Sequence, residues 1–260
     1  MFAKYKIGIN ELRRINASQI PLSHYLLTES SSSRLEDVSD AIKLLIESTD
    51  GIIDGEKLKS DFFPTKNKKE YNVFISHSHG DIEEIEKFAK KLESYGLKCF
   101  VDSMVWKNIA QLQRMIDNKY SRTADGKLNY ELVQQSTAHI HSLLSIALFE
   151  MINHCECCIF VQSNNSLTLN LNDTRTLSPW IYEEIYYINH IEIKEPVRFS
   201  GKYKRNLVVE TRLFDSAIKM THVVDLSGFK PLIESYFDKT LRGDDFLTRL
   251  YVRSGLISAL

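Results

Sequence analysis

The 260-residue chain lacks several features that would assign it to a specialised class of protein. No apolar run approaches the ~20 residues that a membrane-spanning helix needs. Residues Met1 to Lys6 contain no apolar core of the kind found in signal peptides. The net charge of -1 gives no support for a nucleic-acid partner attracted by overall charge. We therefore expect a cytoplasmic protein with neither a membrane nor a nucleic acid as its partner.

Cysteine is scarce, and its placement favours neither a disulfide framework nor a metal site. The four cysteines are Cys99, Cys155, Cys157 and Cys158, without the pattern of a secreted disulfide scaffold. Cys155 and Cys158 have C-x2-C spacing, but a structural zinc site usually needs a second ligand pair, and the sequence has no comparable one. Because the cluster opens an apolar run to Val161, we interpret these cysteines as small buried hydrophobic residues and expect no metal.

Residues 1–69 differ from the rest and are predicted to form a helical N-terminal extension. Residues 9–15 could form a short helix, and a capping-box pattern at Ser33 opens an amphipathic helix to about Ser48. Residues 64–69 are polar and proline-led, which is typical of a linker. The alternative is that these helices pack onto the main domain.

From Tyr71 onward, segments with strand character alternate with helical ones. The predicted strands are 71–76, 98–102, 155–162, 206–210 and 222–225, and the predicted helices are 82–95, 143–151, 180–190 and 230–237. Residues 107–139 are interpreted as an insertion, because they are polar and longer than a typical α/β connection. The alternation predicts a doubly wound α/β domain over residues 70–260 with a helical C-terminal tail.

Polar residues follow the first predicted strand, and a Trp and a Glu share one face of a later helix. Trp180 and Glu184 are four residues apart, so both side chains lie on the same side of the helix. In doubly wound sheets, ligands bind beyond the carboxyl ends of the strands, where the strand order reverses. An aromatic wall beside a carboxylate suits a sugar, because the carboxylate can stabilise positive charge that develops on it.

Three motifs resemble those of the Toll/interleukin-1 receptor (TIR) domain. Tyr71–Asp81, with its Ser76-His77-Ser78, is similar to the first box of the family. Cys99–Asp102 resembles the family's second strand, which ends in an acidic residue before a mobile loop. Ser178–Glu184 resembles the Trp-x-x-x-Glu motif. The resemblance implies a flavodoxin-like, doubly wound sheet of five parallel strands, although the loop after Asp102 lacks the glycine that is common there.

The resemblance implies that Glu184 is the catalytic residue of an enzyme that cleaves the nicotinamide–ribose bond of NAD+. NAD+ would then be the substrate, with no separate cofactor. Nicotinamide departs as a neutral molecule, so the reaction needs neither an acid nor a metal, only stabilisation of the positive ribose. The residues expected to contact the dinucleotide through hydroxyl, imidazole, carboxylate or aromatic groups are Ser76, His77, Ser78, Asp102, Trp106 and Trp180.

Each of these assignments has a structural alternative. Glu184 could be a solvated helix residue, and His77 and His79 could cap the turn into the next helix. Asp81 is well placed as the N-cap of that helix. Trp180 could be part of the core.

The chain is similar to the stand-alone bacterial TIR proteins of anti-phage systems such as Thoeris. That similarity implies an NAD+ glycohydrolase or ADP-ribosyl cyclase, acting as a homo-oligomer. It would either deplete NAD+ or make an ADP-ribose-derived signal that activates a separate effector. The alternative is a non-catalytic adaptor that only assembles with other TIR domains. A nucleoside deoxyribosyltransferase-like fold is a more distant alternative.

Overall fold

The computed structural model describes residues 1–18, 53–62, 71–101, 103–169, 174–199, 201–205 and 222–259. The helix predicted from Ser33 to Ser48, the linker at 64–69 and the strand at 206–210 lie outside the described residues. Within the described ranges, the chain has the predicted α/β fold with a five-stranded parallel sheet.

The described residues form ten strands, seven α-helices and three short 3-10 helices. The strands are β1 (Ala3–Gly8), β2 (Val73–Ser76), β3 (Cys99–Val101), β4 (Cys157–Gln162), β5 (Thr168–Leu169), β6 (Thr174–Thr176), β7 (Tyr203–Arg205), β8 (His222–Val223), β9 (Lys230–Pro231) and β10 (Ile257–Ala259). The helices are α1 (Ile9–Ala17), α2 (Gly55–Phe62), α3 (Ile82–Ser94), α4 (Ser103–Tyr120), α5 (Tyr130–His154), α6 (Pro179–His190) and α7 (Gly243–Arg253).

The main sheet has the strand order β3-β2-β4-β1-β9, and every pairing in it is parallel. This order matches the flavodoxin-like arrangement if β1 takes the fourth place and β9 the fifth. The remaining strands form two small antiparallel sheets, β10-β7 and β5-β6-β8. The predictions of β2, β3, β4, α3 and α6 are confirmed to within a few residues.

The strand β1, which lies between β4 and β9 in the sheet, was not predicted, and it corrects the expected domain division. All six of its residues pair with β4, and Tyr5 and Lys6 also pair with β9. The short helix predicted at 9–15 is confirmed as α1, which follows β1 directly. The strand β1 therefore belongs to the sheet, and α1 follows it directly. A boundary near residue 69 does not separate residues 3–17 from the α/β domain.

Two predictions near the C-terminus are wrong. The strand predicted at 222–225 is β8, but it pairs with β6 in a small antiparallel sheet instead of joining the main one. Residues 230–237, predicted as a helix, form β9 and then a 3-10 turn at Glu234–Tyr236. Pro231 has no N–H to donate, which an edge strand tolerates. The N–H of Leu232 continues the ladder to the Lys6 carbonyl at 2.8 Å.

Helices cover both faces of the main sheet. On one face, the Tyr5 ring stacks on Tyr251 of α7, and its hydroxyl lies 2.7 Å from the Ser254 hydroxyl. From the neighbouring position, the Lys4 ammonium group donates to Asn189 of α6 at 2.8 Å. Because successive residues of a strand point to opposite faces, α6 and α7 lie on opposite sides of the sheet.

The chain divides into two compact units. The sheet unit comprises residues 1–24, 69–102 and 152–260, and the second unit comprises 25–68 and 103–151. In the second unit, residues 107–139 form most of α4 and the start of α5, joined by a turn at Asp125–Gly126. The buried Asp117 carboxylate accepts hydrogen bonds there from Gln113, Ser121 and Ser136. Across the described ranges, no helix combines the length and apolar character needed to cross a bilayer.

Candidate functional site

Two segments singled out in the sequence meet at the carboxyl ends of β2 and β4. Ser76 ends β2, and its hydroxyl donates to Oε2 of Glu184 on α6 at 2.5 Å. Both residues are 0% exposed. Tyr95, just after α3, stacks on Phe246 of α7 at 4.4 Å, so α3 lies on the α7 face of the sheet. The chain therefore leaves β2 and β4 toward opposite faces, which is the switch point where such sheets bind ligands.

The start of α6 determines where Glu184 points. The Ser178 side chain accepts from the Ile181 N–H at 3.3 Å, and Pro179 occupies the first turn, so both fix the helix start. From there, one face of the helix turns inward. Its buried members are Ile181, Glu184, Ile185 and Ile188. The alternative that Glu184 is a solvated helix residue is therefore wrong.

The Glu184 side chain is fully enclosed. Burial raises the pKa of the Cys158 thiol on β4 well above its usual range, and the charge of nearby Glu184 adds to this rise. A buried carboxylate is unfavourable unless hydrogen bonds compensate for lost hydration, and Ser76 supplies one such bond. In this low-dielectric setting, the carboxylate would act more strongly on a positive charge than it would in water.

A second hydrogen-bonded group ties the loops after β2 and β4 together. Asp81 holds the predicted N-cap position of α3, but its carboxylate makes no cap bond. Instead it accepts from the Ser163 hydroxyl at 2.5 Å and from the Asn165 amide at 2.8 Å. A Cβ on Gly80 would lie 3.0 Å from the Asn165 amide nitrogen, so a glycine there permits this close approach. The two loops therefore form one connected cover beside Ser76.

Sequence reasoning missed Ser163 and Asn165. The signal was present, because the polar run Ser163–Ser166 follows the third predicted strand at the sheet edge where Tyr71–Asp81 also ends.

The two other residues expected at the end of β2 differ in accessibility. His77 is 3% exposed, and its Nδ1 lies 3.2 Å from the Ile75 carbonyl, which accepts the bond and holds the ring against the strand. Ser78 is half-buried, and its carbonyl accepts from the Asp81 N–H at 2.9 Å. Of this pair, Ser78 is the better placed to reach a ligand.

The other residues predicted to contact the dinucleotide are Asp102, Trp106 and Trp180. Trp180 is half-buried on the first turn of α6, so it is not a fully buried core residue. Asp102 lies outside the described residues. Trp106 belongs to α4, but its side chain is outside the described part of the structure.

The cysteines are placed as a hydrophobic cluster. Cys155, Cys157 and Cys158 are each 0% exposed, and Cys99 at the start of β3 is half-buried. Among the residues that the structure describes, no group of three or more His, Cys, Asp or Glu side chains is arranged to hold a metal ion.

The fold and this site define a doubly wound α/β protein with a buried Ser–Glu pair at the switch point of its sheet. No protein-family model matches the chain, and neither does a curated protein or a solved structure. The resemblance to TIR domains therefore depends on the three motifs and on the fold class.

Proposed function

We propose that this chain is a TIR-type NAD+ glycohydrolase or ADP-ribosyl cyclase with Glu184 as its catalytic carboxylate. The observation that supports this most directly is the 2.5 Å hydrogen bond from Ser76 to Glu184. It joins the first-box motif to the Trp-x-x-x-Glu motif at the edge of the sheet where ligands bind. The two motifs are more than a hundred residues apart in sequence, at |i−j| = 108.

In the proposed reaction, the bond between the ribose C1′ and the nicotinamide nitrogen breaks, and its electron pair leaves with the neutral nicotinamide. The ribose becomes positively charged, and the Glu184 carboxylate stabilises that charge. In the hydrolase, water adds to C1′ and loses a proton, which gives ADP-ribose. In the cyclase, a nucleophilic atom elsewhere in the same dinucleotide adds to C1′ instead.

Burial of Glu184 determines what must move before this reaction. Since the side chain has no exposed surface, a ribose can reach it only after neighbouring segments separate. The loops joined by Asp81, Ser163 and Asn165 lie at the same edge of the sheet. We propose that the substrate displaces them, and that a ribose hydroxyl replaces the Ser76 hydroxyl as a donor to Glu184.

The cellular role proposed with this activity is that of a cytoplasmic enzyme of bacterial anti-phage defence. It would act as a homo-oligomer, and it would either deplete NAD+ or make an ADP-ribose-derived signal for a separate effector. The support for this role is the resemblance to stand-alone TIR proteins described above.

The second candidate is a non-catalytic adaptor. The observation in its favour is that Glu184 is enclosed and hydrogen-bonded in the manner of a structural residue. In that case, the Ser76–Glu184 pair would serve to hold α6 against the sheet.

One pair of variants distinguishes the candidates. Glu184→Gln keeps the shape of the side chain but removes its charge, and losing such an electrostatic group typically lowers the rate by about a hundredfold to a thousandfold. The matched control is Glu183→Gln, because Glu183 is half-buried and accepts only a local bond from Tyr187 at 2.7 Å. NAD+ consumption is followed by mass-resolved chromatography, with and without lysate from phage-infected cells.

The enzyme proposal predicts that Glu184→Gln stays folded by circular dichroism and loses NAD+ cleavage, while Glu183→Gln keeps it. Full activity in Glu184→Gln would contradict the catalytic assignment. If the unaltered protein consumes no NAD+ under either condition, the adaptor function is favoured.

A further inference from the structure

A cleft of about 360 Å³ lies in the sheet unit, lined only by residues outside the Ser76–Glu184 site. It is bounded by the end of α1, the end of α3 and the segment from Glu234 to Lys239. Helices that follow parallel strands run back along the sheet, so α1 and α3 end at its amino-terminal edge. The cleft shares no lining residue with the Ser76–Glu184 site. Its volume is within the range of small-molecule sites, about 300–1,000 Å³.

A buried amine forms part of the wall of this cleft. Lys91 on α3 is only 2% exposed. Its ammonium group donates to the Ile15 carbonyl, to the Ser18 carbonyl at 2.7 Å and to the Ser18 hydroxyl at 2.5 Å. These contacts use all three N–H groups to cap the carboxyl end of α1. Lys91 is thus a fixed positive charge, unlike a lysine on an open surface.

A second amine faces the same space. Burial lowers the pKa of Lys91, and the positive charge of nearby Lys239 lowers it further, while Glu234 opposes the effect. Two like charges in one cleft repel each other, and an anion between them would relieve that repulsion. Lys239 is exposed, so its ammonium group is available to donate directly to such an anion. Glu234 is also exposed, and it is the acidic residue among those that line the cleft.

The rest of the lining is largely apolar. Ile15 and Tyr95 are buried, Phe237 is half-buried, and the two rings lie 5.9 Å apart. A site with apolar walls and a few convergent polar groups favours a ligand that combines an apolar body with one charged group.

We propose that this cleft binds a small organic anion, with its phosphate or carboxylate group between Lys91 and Lys239 and its planar apolar body against Ile15, Tyr95 and Phe237. The fixed charge of Lys91 attracts the anion, and Lys239 donates hydrogen bonds to it. This site is independent of the proposed NAD+ chemistry.

The test uses 1-naphthyl phosphate as the probe and 1-naphthol as its uncharged counterpart, measured by isothermal titration calorimetry on the full chain. The phosphate ester is expected to bind with one-to-one stoichiometry and more tightly than the naphthol. A hydrogen bond to a charged group contributes enough that Lys239→Ala should raise the dissociation constant about tenfold. Lys239→Arg should retain most of the affinity.

The matched control is Lys90→Ala, which removes an exposed lysine adjacent to Lys91 on the same helix. It should leave the affinity unchanged. The proposal is overturned if the phosphate ester does not bind or if the naphthol binds equally well. Equal losses from Lys90→Ala and Lys239→Ala would also overturn it. Thermal unfolding of each variant verifies that the fold is retained.

Discussion

The position of β1 inside the sheet, between β4 and β9, makes its side chains a sharp test of the fold. Tyr5 is 0% exposed, its ring stacks on Tyr251 at 6.3 Å, and its hydroxyl lies 2.7 Å from that of Ser254. Tyr5→Ala removes the ring and its packing, and Tyr5→Phe removes only the hydroxyl. We predict that both variants destabilise the sheet unit, by very different amounts.

The expected magnitudes follow from what each substitution removes. Replacing a buried aromatic ring by alanine, as in Tyr5→Ala, typically lowers the free energy of unfolding by about 3–5 kcal/mol. Losing one hydrogen bond, as in Tyr5→Phe, typically lowers the free energy of unfolding by about 1 kcal/mol. The decrease is smaller where water can replace the lost partner, as it can at half-buried Ser254. Domains are typically stable by only about 5–15 kcal/mol, so Tyr5→Ala would remove a large share of the stability.

The assay is urea unfolding followed by far-ultraviolet circular dichroism. The control in the same segment is Arg14→Ala, because the Arg14 side chain is 74% exposed and pairs only with Glu11 one turn away. Its effect should stay within about 0.5 kcal/mol. A chain truncated to begin at residue 68 should fail to unfold cooperatively, because it lacks β1.

Two outcomes would refute the reasoning. The first is a truncated chain that unfolds with the same urea midpoint as the full chain, which would show that β1 is dispensable. The second is a Tyr5→Ala variant that is no less stable than Arg14→Ala. Either result would support the sequence-based expectation that residues 1–69 are an appendage.

Two further predictions concern the site and the cysteines. Gly80→Ala should displace Asn165 from Asp81, because the new methyl group would lie 3.0 Å from the Asn165 amide nitrogen. The free energy of unfolding should fall by about 1 kcal/mol. Wild-type stability together with unchanged Asn165 amide resonances by NMR would contradict this prediction. Burial raises the pKa of Cys157 and Cys158 well above the usual range. Neither thiol should therefore react with a thiol reagent until the protein unfolds. Rapid labelling of either cysteine in the native protein would contradict this prediction, because it would show that β4 is open to solvent.

Much of the sheet could be predicted because its apolar pattern is local. The strand from Tyr71 to Ser76 and the strand of β4 are nearly continuous apolar runs, as expected where helices cover both faces. Gly96, with φ of 77°, occupies the C′ position after α3, where a glycine commonly ends a helix.

The strand β1 was missed because two lysines interrupt its apolar pattern. Residues Ala3 to Gly8 alternate apolar and polar side chains, which is itself a strand signal. The lysines are accommodated by contacts that only the fold creates. Lys4 donates to Asn189, and Lys6 donates to the Leu226 carbonyl at 3.1 Å, so both charges reach polar groups beyond the sheet face.

The candidate site was partly predictable for a similar reason. Topology alone indicated that Ser76 and Glu184 converge, because both follow strands at the same edge of the sheet. Topology could not indicate whether Glu184 is open or enclosed. That depends on how the loops after β2 and β4 pack, and the Asp81 bonds to Ser163 and Asn165 join segments distant in sequence.

The position of β1 also sets the order in which the protein can fold during synthesis. This strand leaves the ribosome before any of its partners, and the last of them, β9, follows about 225 residues later. At typical rates of synthesis, roughly 10 to 45 s pass between the synthesis of β1 and that of β9. The sheet therefore completes only when most of the chain has been made. Until then, the apolar residues of β1 can bind chaperones or cause aggregation.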